Sequence, residues 1–263
     1  MSRLIDAGKT VAMESHVHVT GLARNCRSAL AVNLATLEQL RELCGELTVH
    51  VEENDSADGT PQVLAEFGAS RPWATARCRQ LDRIQRGGEF VGPRTQELAE
   101  YREECRQATP RGATFVAVLD FDAAGSFSLP GVLHSIGYMS EHPAAYGCAS
   151  VSLLRSQVGR WDGKTTTVMD EWIHYDAWAL RLNSTFDDYR AGMGSWKHQW
   201  IPPVGSPPVA VASAFGGLAI YDAARYVRGR YDGRDCEHVT FHESLASEGQ
   251  LFINPSQRVV MGW

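Results

Sequence analysis

The sequence lacks several features that would assign a chain to a particular class. Its six cysteines include no C-x-x-C pair, which argues against a zinc site, and their scattered positions argue against a disulfide framework. No apolar run approaches the roughly 18 residues of a membrane-spanning helix, and residues 1–20 lack the apolar core of a signal peptide. The net charge of −6 gives no overall basic field for nucleic acid or an anionic membrane. We therefore expect a soluble, cytoplasmic protein with reduced thiols.

The composition is that of an ordinary globular protein. Hydrophobic residues make up 44% of the 263 residues and charged residues 21%, so the chain can form a substantial core. It contains no internal repeat and no linker-like stretch that would separate two domains. A single domain spanning residues 1–263 is therefore predicted.

A short apolar run that ends in two carboxylates is the most informative stretch. The five residues 115–119 are apolar and lie between Gly112 and Gly125, which predicts a strand buried on both faces of a parallel sheet. Asp120 and Asp122 follow at its carboxyl end, where open α/β sheets bind their ligands. Two carboxylates in that position suit a hard divalent cation that helps to hold a diphosphate. They could equally cap a turn, since Asp-x-Asp is a common sequence.

Strands and helices alternate before that run. The predicted elements are a strand at 17–20, an amphipathic helix over about 30–44, a strand at 47–51, a helix capped by Thr60 that runs to Phe67, a weaker strand at 75–79 and a helix at 95–107. This alternation predicts an α/β protein with a Rossmann-like, doubly wound sheet. An acidic elbow, residues 52–60, follows the second strand, and we expect it to share one cleft with Asp120 and Asp122.

The second half of the sequence is less regular. It predicts a helix at 130–139, a strand at 146–154 and a helix that starts at Asp222. Residues 192–208 hold three glycines, four prolines and two tryptophans (Trp196 and Trp200) and show no period. We expect this loop to be a mobile lid that helps to form a binding site, and the alternative is a rigid surface loop.

Several stretches together resemble glycosyltransferases of the GT-A fold. The elbow Glu53–Thr60 resembles the acidic segment after the second strand of that fold, and Asp120-Phe121-Asp122 resembles its metal-binding Asp-x-Asp motif. The closest resemblance is to the fungal capsule α-1,3-mannosyltransferase family. The stretches that match this family are Tyr175–Arg181, Phe215–Ala223, Asp235–His238 and Asn254–Val259. The resemblance covers the chain from about residue 20 to its end.

The resemblance implies a single GT-A domain with a mixed sheet. Residues 15–125, approximately, would form the nucleotide-sugar-binding half and residues 126–263 the acceptor-binding half. The implied enzyme is a metal-dependent hexosyltransferase, with mannose as one donor sugar, that uses a UDP- or GDP-linked donor. The acceptor would carry a free hydroxyl, on a glycan, a lipid-linked sugar, a small molecule, a protein or a modified nucleic acid. Members of the fungal family are generally longer and membrane-anchored, and often have Arg-Asn where this chain has Arg102-Glu103.

A metal site follows from the same resemblance. Asp120 and Asp122 would bind Mn²⁺ or Mg²⁺ at the donor diphosphate, which also makes Asp120 part of the nucleotide site. His242 would be the third protein ligand, since imidazole is a common ligand for ions of this class. His238 is a competing candidate, and the alternative for His242 is a hydrogen-bonded histidine on a β-hairpin.

The nucleotide contacts are also implied by the resemblance. Glu53 corresponds to the carboxylate that usually accepts a hydrogen bond from the nucleobase. Asp55 is a second candidate, although Asp55 or Asp58 could instead cap the elbow by accepting from nearby N–H groups. Arg24 and Arg102 could contact phosphate or base, or could pair with surface carboxylates.

Glu237 corresponds to an acid that lies near the acceptor in this fold. In an inverting enzyme, Glu237 or Asp235 would take the proton of the acceptor hydroxyl. In a retaining enzyme, which the fungal family implies, an acid here would stabilise the oxocarbenium-like centre. Trp178 could stack on a sugar or could be part of the core. The stereochemical outcome stays open.

Two rival functions also fit a doubly wound sheet with carboxylates at its edge. A nucleotidyltransferase acting on a sugar phosphate normally has a Gly-rich loop after the first strand, and Gly21-Leu22-Ala23-Arg24 is poor in glycine. A non-catalytic domain that only binds a sugar nucleotide would be expected to lose its acidic motifs, which are intact here. Glycosyl transfer is therefore the leading hypothesis.

Overall fold

One mixed sheet of ten strands organises the computed structural model, which describes residues 1–87, 90–161, 163–182 and 201–262. The strands are β1 His16–Ala23, β2 Glu46–Asn54, β3 Ala74–Arg79, β4 Phe115–Asp120, β5 Ala145–Trp161, β6 Thr166–His174, β7 Arg181–Leu182, β8 Val209–Ser213, β9 Leu218–Asp222 and β10 Gln250–Gly262. The helices are α1 Ser2–Met13, α2 Arg27–Arg41, α3 Thr60–Ala69, α4 Pro93–Gln107, α5 Leu129–Glu141, α6 Ala223–Tyr226 and α7 Glu237–Ser244.

The strand order is β3-β2-β1-β4-β9-β5-β10-β8-β7, and β6 pairs with the outer part of β5. Strands β1 to β4 are parallel to one another, whereas β9 is antiparallel to both β4 and β5. The chain therefore combines a Rossmann-like parallel half with an antiparallel extension. The predicted α/β class and its mixed, doubly wound sheet are confirmed.

Strand β4 is buried on both faces, as its apolar run predicts. Val116 and Val118 pack into a core under α4 and α7, whereas Ala117 and Leu119 pack into a second core with α2 and α5. Each of these four side chains is at most 2% exposed. Helices on both sides of the central strands thus leave only the strand ends open to a ligand.

The register of the parallel strands brings their carboxyl ends to one edge. Leu22 lies opposite Asp120 on β4, and Ala23 lies opposite Glu53 on β2. Strand β1 lies between β2 and β4. The chain runs from β1 to β2 on one side, whereas β4 lies on the other side, so the winding of the sheet reverses at β1 and a crevice forms there.

Some predicted elements differ from the structure. Thr60 is the first residue of α3 rather than its N-cap; Gly59, with φ at +86°, precedes it, a conformation that glycine adopts readily. Residues 237–244 form a helix, so His242 is not on a β-hairpin. Helix α1 and strand β6 were not predicted. In the loop 192–208 only residues 201–208 are described, so Trp196, Trp200 and the lid prediction lie outside the described residues.

Two further observations concern the cysteines and the helices. All six cysteines, which fall within the described ranges, are free thiols. Among the helices that the structure describes, none has both the length and the apolar character needed to cross a membrane.

Candidate active site

A cleft of about 650 Å³ opens at the carboxyl ends of β1, β2 and β4. One wall is formed by these strand ends and by α4, and the other by the start of α7 and by the turn after β6. Seven residues that the sequence suggested for a site line it, namely Arg24, Arg102, Asp120, Asp122, Trp178, Glu237 and His238. The fold thus brings together side chains that lie far apart in the sequence.

Arg102 is the central positive charge of the cleft. It lies on α4, is 3% exposed and forms an ion pair with Asp120. Its Nε atom is 3.9 Å from Oε1 of Glu237, and its guanidinium carbon lies 5.1 Å from the ring centre of Phe215. Nε and Nη1 of Arg102 have no hydrogen-bond partner among the described residues. A buried guanidinium with unsatisfied N–H groups beside a cleft is suited to bind an anion.

The carboxylates of Asp120 and Asp122 lie at the end of β4. The backbone N–H of Asp120 donates to the carbonyl oxygen of Gly217 over 2.8 Å, which fixes this strand end. Burial raises the pKa of Asp120 to about 7; Arg102 opposes this shift, and Asp122 adds to it. Asp122 is exposed to the cleft, yet the surrounding walls limit its hydration and raise its pKa as well. Because the two negative charges repel each other, it is unfavourable for both carboxyl groups to be ionised at once. A cation bound between them would remove this repulsion.

Glu237 and His238 begin α7 and form the opposite wall. Glu237 is 4% exposed, and burial raises the pKa of its carboxyl group. The ring of His238 stacks on Phe215 with centroids 3.6 Å apart, and its Nε2 is 3.5 Å from Oε1 of Glu237. Burial, together with Arg102, lowers the pKa of His238 well below its ordinary value, so the imidazole is neutral. Neither of its nitrogens has a hydrogen-bond partner within the described part of the chain.

His242 lies on the same helix but does not line the cleft. Its Nδ1 is 2.9 Å from Oγ of Ser213, and its Nε2 is 2.9 Å from the hydroxyl of Tyr221. Burial lowers the pKa of His242 to about 3. Both ring nitrogens are therefore engaged in the core, and this placement does not support the predicted role as a metal ligand.

Asp235 accepts hydrogen bonds from neighbouring protein groups rather than facing the cleft. Its Oδ2 accepts from Nη2 of the buried Arg181 over 3.1 Å, and its Oδ1 accepts from the backbone N–H of Cys236 over 2.7 Å. It is absent from the cleft lining. The geometry thus supports Glu237, rather than Asp235, as the acid that faces a ligand.

The acidic elbow after β2 mainly holds loops in place. Oε1 of Glu53 accepts from the backbone of Ser56 over 2.9 Å, and Glu53 is 2% exposed. The carboxylate of Asp55 accepts from three backbone N–H groups, those of residues 81, 82 and 83. Asp58 accepts from the backbone of Arg27 and from Thr60. These bonds support the capping alternative for Asp55 and Asp58, and they do not support base contacts by Glu53 or Asp55.

Asn54 and Arg24, rather than Glu53 and Asp55, line the cleft at the ends of the first two strands. Asn54 lines the cleft at the end of β2, and Arg24 lines it while donating from Nη2 to the carbonyl oxygen of Arg83 over 2.6 Å. On the opposite side, Tyr175 and Asp176 line the cleft directly after β6. No role was predicted for these residues other than Arg24. The aromatic stretch around Tyr175 was visible in the sequence, but its position at the cleft depends on the unpredicted hairpin of β5 and β6.

Known proteins share this architecture but not the sequence. No protein-family model and no curated protein matches the chain. The structure is similar to GalNAc-T7 with UDP, GalNAc and Mn²⁺ (TM-score 0.55, 11% identity, 95% of this chain and 44% of that chain). It is similar to the mannosyltransferase PcManGT from Pyrobaculum calidifontis with GDP-Man and Mn²⁺ (0.50, 14%, 98% and 65%) and to TarS 1–349 of S. aureus (0.51, 12%, 93% and 59%).

The chain spans between about two fifths and two thirds of the length of these three structures. At such low identities the similarity establishes the fold alone. The chain therefore has the GT-A fold that these glycosyltransferases share, as the motifs predicted.

Proposed function

We propose that this protein transfers a hexose from a UDP- or GDP-linked donor to an acceptor hydroxyl. The observation that carries the proposal is the cluster of Asp120, Arg102 and Glu237, which meet inside the cleft, with Asp122 exposed to the same cleft. This cluster lies where the winding of the sheet reverses, the usual ligand position in such folds. Mannose is the first donor sugar to test, because of the family resemblance and the similarity to PcManGT.

The two carboxylates at the end of β4 fit a divalent cation. Among the described residues no three His, Cys, Asp or Glu side chains converge as a metal site. Mg²⁺, however, is usually held by one or two carboxylates together with substrate phosphates, so Asp120 and Asp122 suffice for an ion that binds with a diphosphate. When bound, Mn²⁺ or Mg²⁺ would neutralise negative charge on the leaving nucleoside diphosphate.

Arg102 adds a second positive charge at the same place. Burial opposes its charge, but Asp120 and Glu237 outweigh burial and raise the pKa of Arg102. It therefore stays protonated, and its unsatisfied N–H groups can donate to the diphosphate. Arg24 and Asn54, at the ends of β1 and β2, would face the nucleoside.

During transfer, the acceptor oxygen bonds to the anomeric carbon while the bond from that carbon to the diphosphate oxygen breaks. The electron pair of the broken bond leaves with the diphosphate. If the reaction inverts the anomeric centre, Glu237, with its raised pKa, takes the hydroxyl proton. If it retains the configuration, the proton passes to the leaving diphosphate, and Glu237 faces the oxocarbenium-like centre.

The test is release of nucleoside diphosphate from a panel of UDP- and GDP-sugars with Mn²⁺ or Mg²⁺. We expect one donor to be turned over, and EDTA or Asp122→Ala to lower the rate by about a hundredfold or more. Asp170→Ala removes a half-exposed carboxylate on the β5–β6 hairpin and serves as the matched control. Full activity in EDTA would exclude the metal role, and no turnover of any donor would exclude glycosyl transfer.

A further inference from the structure

The turn after β6 presents an aromatic surface to the cleft. Tyr175 lines the cleft and is 50% exposed. Trp178 lies three residues further on; its ring meets Phe90 edge-on with centroids 5.6 Å apart, and the Arg94 guanidinium lies 5.1 Å from its ring centre. The ring of Tyr175 is therefore accessible to a ligand, whereas the ring of Trp178 packs against Phe90 and Arg94.

Backbone and carboxylate bonds hold this turn firmly. The backbone N–H groups of Tyr175 and Asp176 donate to the carbonyl oxygen and to the hydroxyl of Ser152, over 3.1 Å and 3.0 Å. The carboxylate of Asp176 accepts from the backbone N–H groups of Gly216 and Ala179, over 2.8 Å and 3.3 Å. A half-exposed ring on a turn fixed in this way loses little freedom when a ligand binds to it.

The Tyr175 ring lines the same cleft as the carboxylates of Asp120 and Asp122, where the reacting centre of the proposed site lies. Tyr175 follows β6, whereas Arg24 and Asn54, which would face the nucleoside, lie at the ends of β1 and β2. An acceptor that approaches the donor sugar from outside would meet Tyr175.

An aromatic ring beside carboxylates matches the chemistry of a sugar. The apolar C–H face of a sugar ring packs on an aromatic ring, and its hydroxyls can donate to the carboxylates of Asp176 and Glu237, which line the same cleft. We propose that Tyr175 is the stacking platform for the acceptor and that the acceptor is a sugar. This inference rests on the proposed glycosyl transfer and names its acceptor class.

The experiment uses the full chain with the donor that the panel above identifies. Transfer is measured to methyl hexosides and to glycerol, which has hydroxyls but no sugar ring, and donor hydrolysis is measured without acceptor. We expect transfer to a methyl hexoside, with little or none to glycerol. Tyr175→Ala should raise the acceptor KM about tenfold or more and leave the donor KM for hydrolysis within about twofold.

Two further variants separate stacking from other effects. Tyr175→Phe keeps the ring and should keep most of the acceptor affinity. Trp172→Ala removes a ring that is 46% exposed on β6 but does not line the cleft, and it should behave as the parent protein. Preferred transfer to glycerol, an unchanged acceptor KM in Tyr175→Ala, or an equal loss of donor affinity would overturn the proposal. Donor hydrolysis without transfer to any hexoside would overturn it too, and would leave the proposed function standing.

Discussion

Removal of the Arg102 guanidinium tests the charge arrangement in the cleft most directly. The side chains of Arg102, Glu237 and Asp120 are 3%, 6% and 28% exposed. Arg102→Ala would leave two poorly hydrated carboxylates without their shared cation. Breaking a buried ion pair in this way costs about 3–5 kcal/mol. Because each 1 kcal/mol lowers the Tm of a chain of this size by roughly 2–3 °C, we expect a fall of roughly 6–15 °C.

Thermal unfolding followed by circular dichroism at pH 7 measures this shift. Arg228→Ala is the matched control, since Arg228 pairs with Glu248 over 2.9 Å at the surface, with the two side chains 57% and 23% exposed. Its loss should cost no more than about 1 kcal/mol. Arg102→Lys should recover part of the stability, because it keeps a charge but not the planar group that reaches both carboxylates.

A double-mutant cycle with Asp120→Asn assigns the cost to the ion pair. In that background one carboxylate is already neutral, so Arg102→Ala should cost at least about 1 kcal/mol less than in the parent protein. Strictly additive effects, or an Arg102→Ala protein that melts within about 2 °C of its parent, would show that Arg102 is not held by these carboxylates.

Three further predictions concern the metal, the elbow and the core histidine. Because Asp120 and Asp122 are too few to hold an ion alone, calorimetry should show that Mg²⁺ binds at least about tenfold more tightly in the presence of the nucleotide than without it; equal affinities would refute this. The pKa of Asp55 is lowered to about 2, because partial desolvation, which raises it, is outweighed by hydrogen bonds from Asn54 and three backbone N–H groups. The stabilisation that this carboxylate provides is thus present above about pH 4 and is lost as the pH falls toward 2. The protection of the amides of residues 81–83 against hydrogen exchange, relative to the unfolded chain, should fall over that interval but not in Asp55→Ala. His242→Ala should cost about 1–3 kcal/mol in urea unfolding, because it strands two buried hydroxyls, and should leave nucleotide affinity unchanged; weaker nucleotide binding would restore the metal-ligand prediction.

The central strands were predictable because their signals are local. The five apolar residues before Asp120, the helical period before β2 and the glycines between elements each follow from a few neighbouring residues. Helix α7 had no such signal. Its eight residues are too few to show a period, and six of them are buried all around the helix, so the core position of His242 could not be read from its neighbours.

The cleft itself depends on contacts between distant segments. Arg102, Asp120 and Glu237 converge because α4 and α7 pack on the same face of the sheet, as shown by the shared core of Ala99 and Val239. Motif resemblance placed each residue at a site, but it could not show that Arg102 would be the partner of Asp120. In a helix sequence, an arginine such as Arg102 could equally well form an ion pair at the solvent-exposed surface.

The acidic elbow shows why carboxylates at strand ends are weak indicators of a ligand. Its acids lie at the predicted edge of the sheet, yet Glu53, Asp55 and Asp58 accept hydrogen bonds from the backbone of loops and helix ends. A loop that turns sharply at a strand end exposes N–H groups that need acceptors, and short acidic side chains are the nearest source. An acid is therefore informative about a ligand only when its oxygens are not used by the surrounding backbone. In this cleft Asp122 is exposed and accepts from no backbone N–H other than its own among the described residues, whereas the elbow acids accept from neighbouring segments.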